Sequence, residues 1–116
     1  MRDPDLAISL DRPGQLVSLS GRLCAATVAD VRTTLGEAID CGEGDLVVDI
    51  ERVDMVDASG LGVLVGAHRL AVRNDRRLVL QNVPTRIERL LMITHLNRVL
   101  STREVLPLEV DEAVSA

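Results

Sequence analysis

The sequence has no phenylalanine, tyrosine or tryptophan. Single-stranded nucleic acid is gripped largely by stacking bases on aromatic rings, so this absence argues against that class of function. Lysine is missing as well: all thirteen basic residues are arginine, a pattern that reads as genome composition more than function. Against 18 acidic residues they leave a net charge of -5. That charge repels phosphate backbones and anionic lipid surfaces, so no nucleic acid is expected as a partner. No apolar run is long enough to span a bilayer, because the most apolar stretch, Leu61 to Val72, is interrupted by His68 and Arg69. With no secretory signal visible, the expectation is a cytoplasmic protein without membrane insertion. Cysteine is scarce too. Cys24 and Cys41 bracket a predicted helix and would lie about 25 Å apart at about 1.5 Å per residue, far beyond the roughly 7 Å reach of a disulfide. Neither the cysteines nor the two histidines match a metal-ligand spacing, so no metal or cofactor is expected.

What is present fits one domain over residues 1–116, with a core built from Leu, Val, Ile, Ala and Met. Acid is unevenly spread: residues 1–58 hold 12 Asp/Glu against 5 Arg, and residues 59–116 hold 6 against 8, giving net charges of -7 and +2. Leu6, Ile8 and Leu10 alternate with smaller or polar residues. The run Asp11-Arg12-Pro13-Gly14 then makes a turn and Gln15 to Ser20 alternates again, which predicts a β-hairpin. Val28, Val31, Leu35, Ala38 and Ile39 follow helical spacing and predict a helix over 25–40, ended by Gly42 and Gly44. Asp45 to Ile50 reads as a central strand. Leu61, Leu64, Val65, Ala71 and Val72 then line one face of a helix ending near Asn74. A strand over 78–83 follows. The next helix starts near Pro84, with Thr85 and Glu88 at capping-box spacing, and buries Ile87, Leu90 and Leu91. Val99 to Ser101 is a weak edge strand, and Glu109 to Val114 a short closing helix. A hairpin followed by alternating strands and helices predicts an α/β fold: a mixed β-sheet with βαβ units, packed against about four helices.

The chain is organised around Val53-Asp54-Met55-Val56-Asp57-Ala58-Ser59-Gly60-Leu61-Gly62-Val63-Leu64, which follows the central strand and leads into a helix. Ser and Asp are favoured at helix starts because their side chains accept hydrogen bonds from unpaired backbone N–H groups. A serine hydrolase elbow needs a glycine two residues before the nucleophile, and Asp57 stands there. Gly60 and Gly62 lack the third glycine of a dinucleotide fingerprint, and Asp57 would repel a pyrophosphate. Neither histidine makes a plausible base, so an enzyme is not expected. Two readings of Ser59 stay open on these residues. It caps the helix beside glycines that pack, or it is a phosphoacceptor at a helix N-terminus, where an added anion is favoured by the dipole. Asp57 would then lie close to the new charge. Val63, one turn on, sits outside the main apolar stripe and is a candidate partner contact.

The stretch Val56 to Leu64, together with Leu19-Ser20-Gly21 and Leu46-Val47-Val48-Asp49-Ile50, resembles the STAS domain family of bacterial anti-sigma factor antagonists. The resemblance covers nearly the whole chain. It implies that Ser59 is phosphorylated by a partner that is both anti-sigma factor and serine kinase, that the unphosphorylated form binds this partner, and that a phosphatase restores it. It also implies partner contacts at Gly21, Arg22, Cys24, Asp57, Ala58, Ser59, Gly60, Leu61 and Val63. One departure stands out: Gly21-Arg22-Leu23-Cys24 replaces an acidic Gly-Glu-hydrophobic-Asp pattern. The alternative is a STAS scaffold subunit, never phosphorylated, of a stress-signalling or lipid-transporter complex.

Overall fold

The computed structural model describes residues 5–104. In chain order the elements are β1 (Leu6–Arg12), β2 (Leu16–Leu23), α1 (Val28–Cys41), β3 (Asp45–Val56), α2 (Ala58–Arg73), β4 (Arg77–Gln81), α3 (Thr85–Ile93), a single 3-10 turn (Leu96–Arg98) and β5 (Ser101–Arg103). The sheet order follows the sequence, β1-β2-β3-β4-β5. The hairpin pair β1 and β2 is antiparallel, and every later pair is parallel. Three successive crossovers therefore step the same way across the sheet. Right-handed connections then put α1, α2 and α3 on one face.

That face carries the core. Val17 and Leu19 of β2, Leu46, Val48 and Ile50 of β3, and Leu78 and Leu80 of β4 meet Val31, Leu35 and Ile39 of α1, Leu64 and Ala71 of α2, and Ile87 and Leu91 of α3. Aliphatic side chains fill it throughout, as the composition requires. The opposite face is mostly polar around the buried pair Val47 and Val79. Asp49 accepts hydrogen bonds from the side chains of Gln81 (2.9 Å) and Asn82 (3.0 Å), and Arg103 donates to Gln81 Oε1, which laces β3, β4 and β5 together.

Several boundaries differ from the sequence reading. β3 continues six residues beyond Ile50 because β2 stays paired with it as far as Leu23 and Val56. Register shifts after Ser18 and Gly21 break the two-residue alternation, so Glu51 and Arg52 are exposed side by side and read as loop. α1 starts at Val28 because residues 24–27 form a turn. Val72 is 54% exposed, not buried. No capping box forms on α3: Pro84 is its N-cap, and the amides of Ile87 and Glu88 both bond the Pro84 carbonyl. The edge strand lies slightly later than expected, at Ser101–Arg103. The predicted closing helix over 109–114 falls outside the described residues.

The edge where the parallel strands begin is held by a residue that composition alone passed over. Arg76, just ahead of β4, is 6% exposed. Its guanidinium donates to the carbonyls of Gly44 (2.9 Å), Ala38 (2.8 Å) and Ile39 (3.0 Å), and to that of Gly14. One side chain thus ties the hairpin turn, the last turn of α1 and the start of β3. The cation also sits where the helix dipole of α1 is negative, which offsets part of its burial cost. Above it the hairpin turn and the end of α1 touch backbone to backbone, since a Cβ on either Gly14 or Gly42 would press into the other segment. Replacing Arg76 by Met leaves several buried carbonyls unpaired. It should lower the unfolding free energy, measured in urea, by about 3 kcal/mol or more. Arg76→Lys should recover only part of this, because an ammonium cannot reproduce the planar fork.

Candidate functional site

The other edge of the sheet, where β2 and β3 end, carries the junction singled out in the sequence. β3 stops at Val56, and the amide of Asp57 donates to the Leu23 carbonyl at the end of β2 (3.2 Å). Asp57 has extended backbone and is the N-cap of α2. Its Oδ1 accepts from the Gly60 amide at 2.9 Å. Its Oδ2 accepts from the Ala25 amide at 3.3 Å, in the loop that follows β2. One carboxylate therefore serves two segments. These hydrogen bonds favour the charged form, the one from Gly60 most, and hold the Asp57 pKa below its ordinary value.

The helix start is pressed onto the end of β2. Gly60 is buried, and a Cβ there would collide with the Leu23 carbonyl. The adjoining loop is braced by Thr27, 1% exposed, whose hydroxyl donates to the Arg22 carbonyl (2.8 Å) and accepts from the Cys24 amide (3.1 Å). The Arg22 amide donates to the Asp5 carbonyl (2.9 Å). Gly21 has a φ of 110°, which only glycine adopts readily.

Against this frame the sequence-predicted residues separate. Ala58 and Ser59 are exposed in the first turn of α2, and Arg22 is exposed near the end of β2. Gly21, Cys24 and Asp57 are half-buried beside them. Leu61 (8% exposed) and Val63 (5%) pack largely into the core, and Gly60 is covered by Leu23, so beside Ser59 these three lie beneath the surface. Val63 lies off the main stripe yet is buried. The capping role given to Ser59 passes to Asp57. The Ser59 hydroxyl makes no hydrogen bond among the described residues. The Nδ1 of His68 is buried without a hydrogen-bond partner among the described residues. Thr27 was missed by the sequence reading, since a buried bracing threonine has no periodic signature.

This chain, with its hairpin and three parallel crossovers, is similar to known proteins. A family model described as Mlab, STAS domain, fits residues 6–106. The anti-sigma-B factor antagonist of Staphylococcus aureus is 33% identical over 88 residues, which is 76% of this chain and 82% of that protein. Among solved structures, an anti-sigma factor antagonist from Mycobacterium paratuberculosis superposes with a TM-score of 0.75 at 18% identity over 100% of both chains. The unphosphorylated form of the anti-sigma factor antagonist SpoIIAA gives 0.70 at 18% identity, covering 95% of this chain and 96% of that one. At such identity the structural likenesses speak for the fold alone. The family match and the curated relative go further: the chain belongs to the STAS domain family, among the anti-sigma factor antagonists.

The geometry makes Asp57 testable apart from any partner. Asp57→Ala should speed amide exchange at both Gly60 and Ala25, read by NMR, while Asp57→Asn, with one acceptor oxygen, should keep the protection at Gly60 and lose it at Ala25. Because the folded pKa is lowered, the carboxylate's contribution is complete above its unfolded pKa. It is lost as pH falls through the lowered folded value, so wild type and Asp57→Asn should converge in thermal stability in acid.

Proposed function

We propose that this chain is an anti-sigma factor antagonist switched at Ser59, and that it acts as a binding protein and not as an enzyme. Unphosphorylated, it binds an anti-sigma factor that is also a serine kinase. Phosphorylated, it releases that partner, and a phosphatase resets it, so the cycle controls sigma-factor-dependent transcription. The observation that carries the reading is the division of labour between two residues separated only by Ala58: Asp57 caps α2, which leaves the exposed Ser59 hydroxyl uncommitted.

The physics of the modification follows. A phosphoryl group adds about -1.5 to -2 charges near the positive end of a 16-residue helix, a place where the fold tolerates an anion. The Gly60 amide, however, is already occupied by the Asp57 carboxylate. The new charge therefore adds to an existing one. In water two such charges repel weakly; once a docked partner excludes water the repulsion grows several-fold, enough to weaken binding about a hundredfold. Modification thus changes association without unfolding the domain. In this reading the partner covers Arg22, Cys24, Ala58 and Ser59, with Asp57, Gly21, Gly60, Leu61 and Val63 shaping the surface from beneath.

Arginine and cysteine at positions 22 and 24, where relatives of this type are expected to carry acids, favour a second reading. Here the chain is a STAS scaffold subunit that is never phosphorylated and works in a larger assembly. One experiment separates the two. On incubation with the host's anti-sigma factor and ATP, wild type should gain one phosphate by mass spectrometry and Ser59→Ala none. Ser59→Asp should bind the partner at least about tenfold more weakly. Phosphate retained in Ser59→Ala, or unchanged affinity in Ser59→Asp, would contradict the switch; an unmodified chain eluting in a large assembly would favour the scaffold.

A further inference from the structure

Three glycines of this chain are not required by the fold described above. Gly36 lies inside α1, and Gly62 and Gly66 lie inside α2, where glycine weakens a helix relative to alanine because it has more backbone freedom to lose. Elsewhere the fold uses the missing side chain, as at Gly60 against Leu23. At Gly36, Gly62 and Gly66 an added Cβ would meet nothing within 4 Å. All three nevertheless line the same groove, of about 230 Å³, between α1 and α2.

The groove has an apolar floor that includes Val63 and Ala67, and Arg32 and Arg73 stand on its walls. Both arginines are exposed, and neither forms an ion pair or side-chain hydrogen bond among the described residues. No carboxylate lines the groove. Two copies of this chain meeting groove to groove would set arginine against arginine, so a second copy is a poor occupant. A groove between helices suits the apolar face of another helix, and glycine at the contact lets two helix axes come closer than larger side chains permit. Two unpaired guanidinium groups call for carboxylates on that helix.

From this we infer that the α1–α2 groove receives a helix of the anti-sigma factor, one with a small-residue or apolar inner face flanked by acidic residues that reach Arg32 and Arg73. The inference rests on the function proposed above and extends its contact surface from Ser59 along α2, Gly62 being three residues further on. In this account the helix-weakening glycines are kept for the partner's approach.

The test is a titration of the host's anti-sigma factor into four purified chains: wild type, Gly62→Ala/Gly66→Ala, Arg32→Glu/Arg73→Glu and Ser59→Asp, each also melted and sized. The glycine variant should melt a few degrees higher than wild type, yet bind the partner about tenfold or more weakly. The arginine variant should also bind more weakly, by a factor that shrinks in high salt. If the glycine variant binds like wild type while Ser59→Asp is impaired, the groove is idle and only the switch stands. If wild type does not bind the anti-sigma factor, the proposed function falls and this inference with it. A wild type that elutes as a dimer, with a monomeric glycine variant of unaltered affinity, would assign the groove to a second copy and overturn the inference.

Discussion

The functional edge of this protein depends on one carboxylate. Asp57 accepts from Gly60 at the start of α2 and from Ala25 in the loop after β2, so two segments distant in sequence are registered against each other by a single side chain. Its backbone amide adds a third tie, to Leu23. Because Asp57 fills the cap position, the helix start does not need the Ser59 hydroxyl. A serine in the cap itself would have its oxygen engaged by backbone amides and its modification would cost helix stability. Placed two residues later, it is free for chemistry.

The sheet separates that edge from the one that keeps the domain together. Arg76 gathers the hairpin turn, the end of α1 and the start of β3 at the edge where the parallel strands begin. Ser59 and Arg22 lie where β2 and β3 end. Ligand and partner sites of parallel sheets lie outside the carboxyl ends of the strands, which is where the proposed switch sits. A charge change at Ser59 is thus remote from the buried guanidinium that the packing relies on. That separation is what the proposed switch requires: a charge added at Ser59 lies away from the contacts that hold the core.

Much of this was legible in the amino-acid order. Alternation gave away the hairpin, helical spacing gave α1 and α2, and the run from Val56 to Leu64 marked the junction and its family. What stayed hidden was of two kinds. Irregular pairing hides strands: the register shifts in β2 and β3 put Glu51 and Arg52 side by side in solvent, so half of β3 resembled a loop. Long-range hydrogen bonding hides roles. Nothing local distinguishes Arg76 from the twelve other arginines, because its carbonyl partners are 32 to 62 residues away. Asp57 and Ser59 both suit a cap, and only the geometry decides between them. The close approach of Gly60 to the Leu23 carbonyl was equally hidden, because it is a contact between segments far apart in sequence.

The central claim is that one phosphoryl group on Ser59 controls association while the fold persists. It is tested most directly by preparing the chain fully phosphorylated at Ser59 and measuring, by calorimetry against the unmodified chain, its affinity for the anti-sigma factor, with an NMR spectrum of each form. The account predicts binding weaker by about a hundredfold and spectra that differ only around the ends of β2 and β3 and the start of α2. Equal affinity of the two forms, or loss of the folded spectrum on phosphorylation, would contradict it.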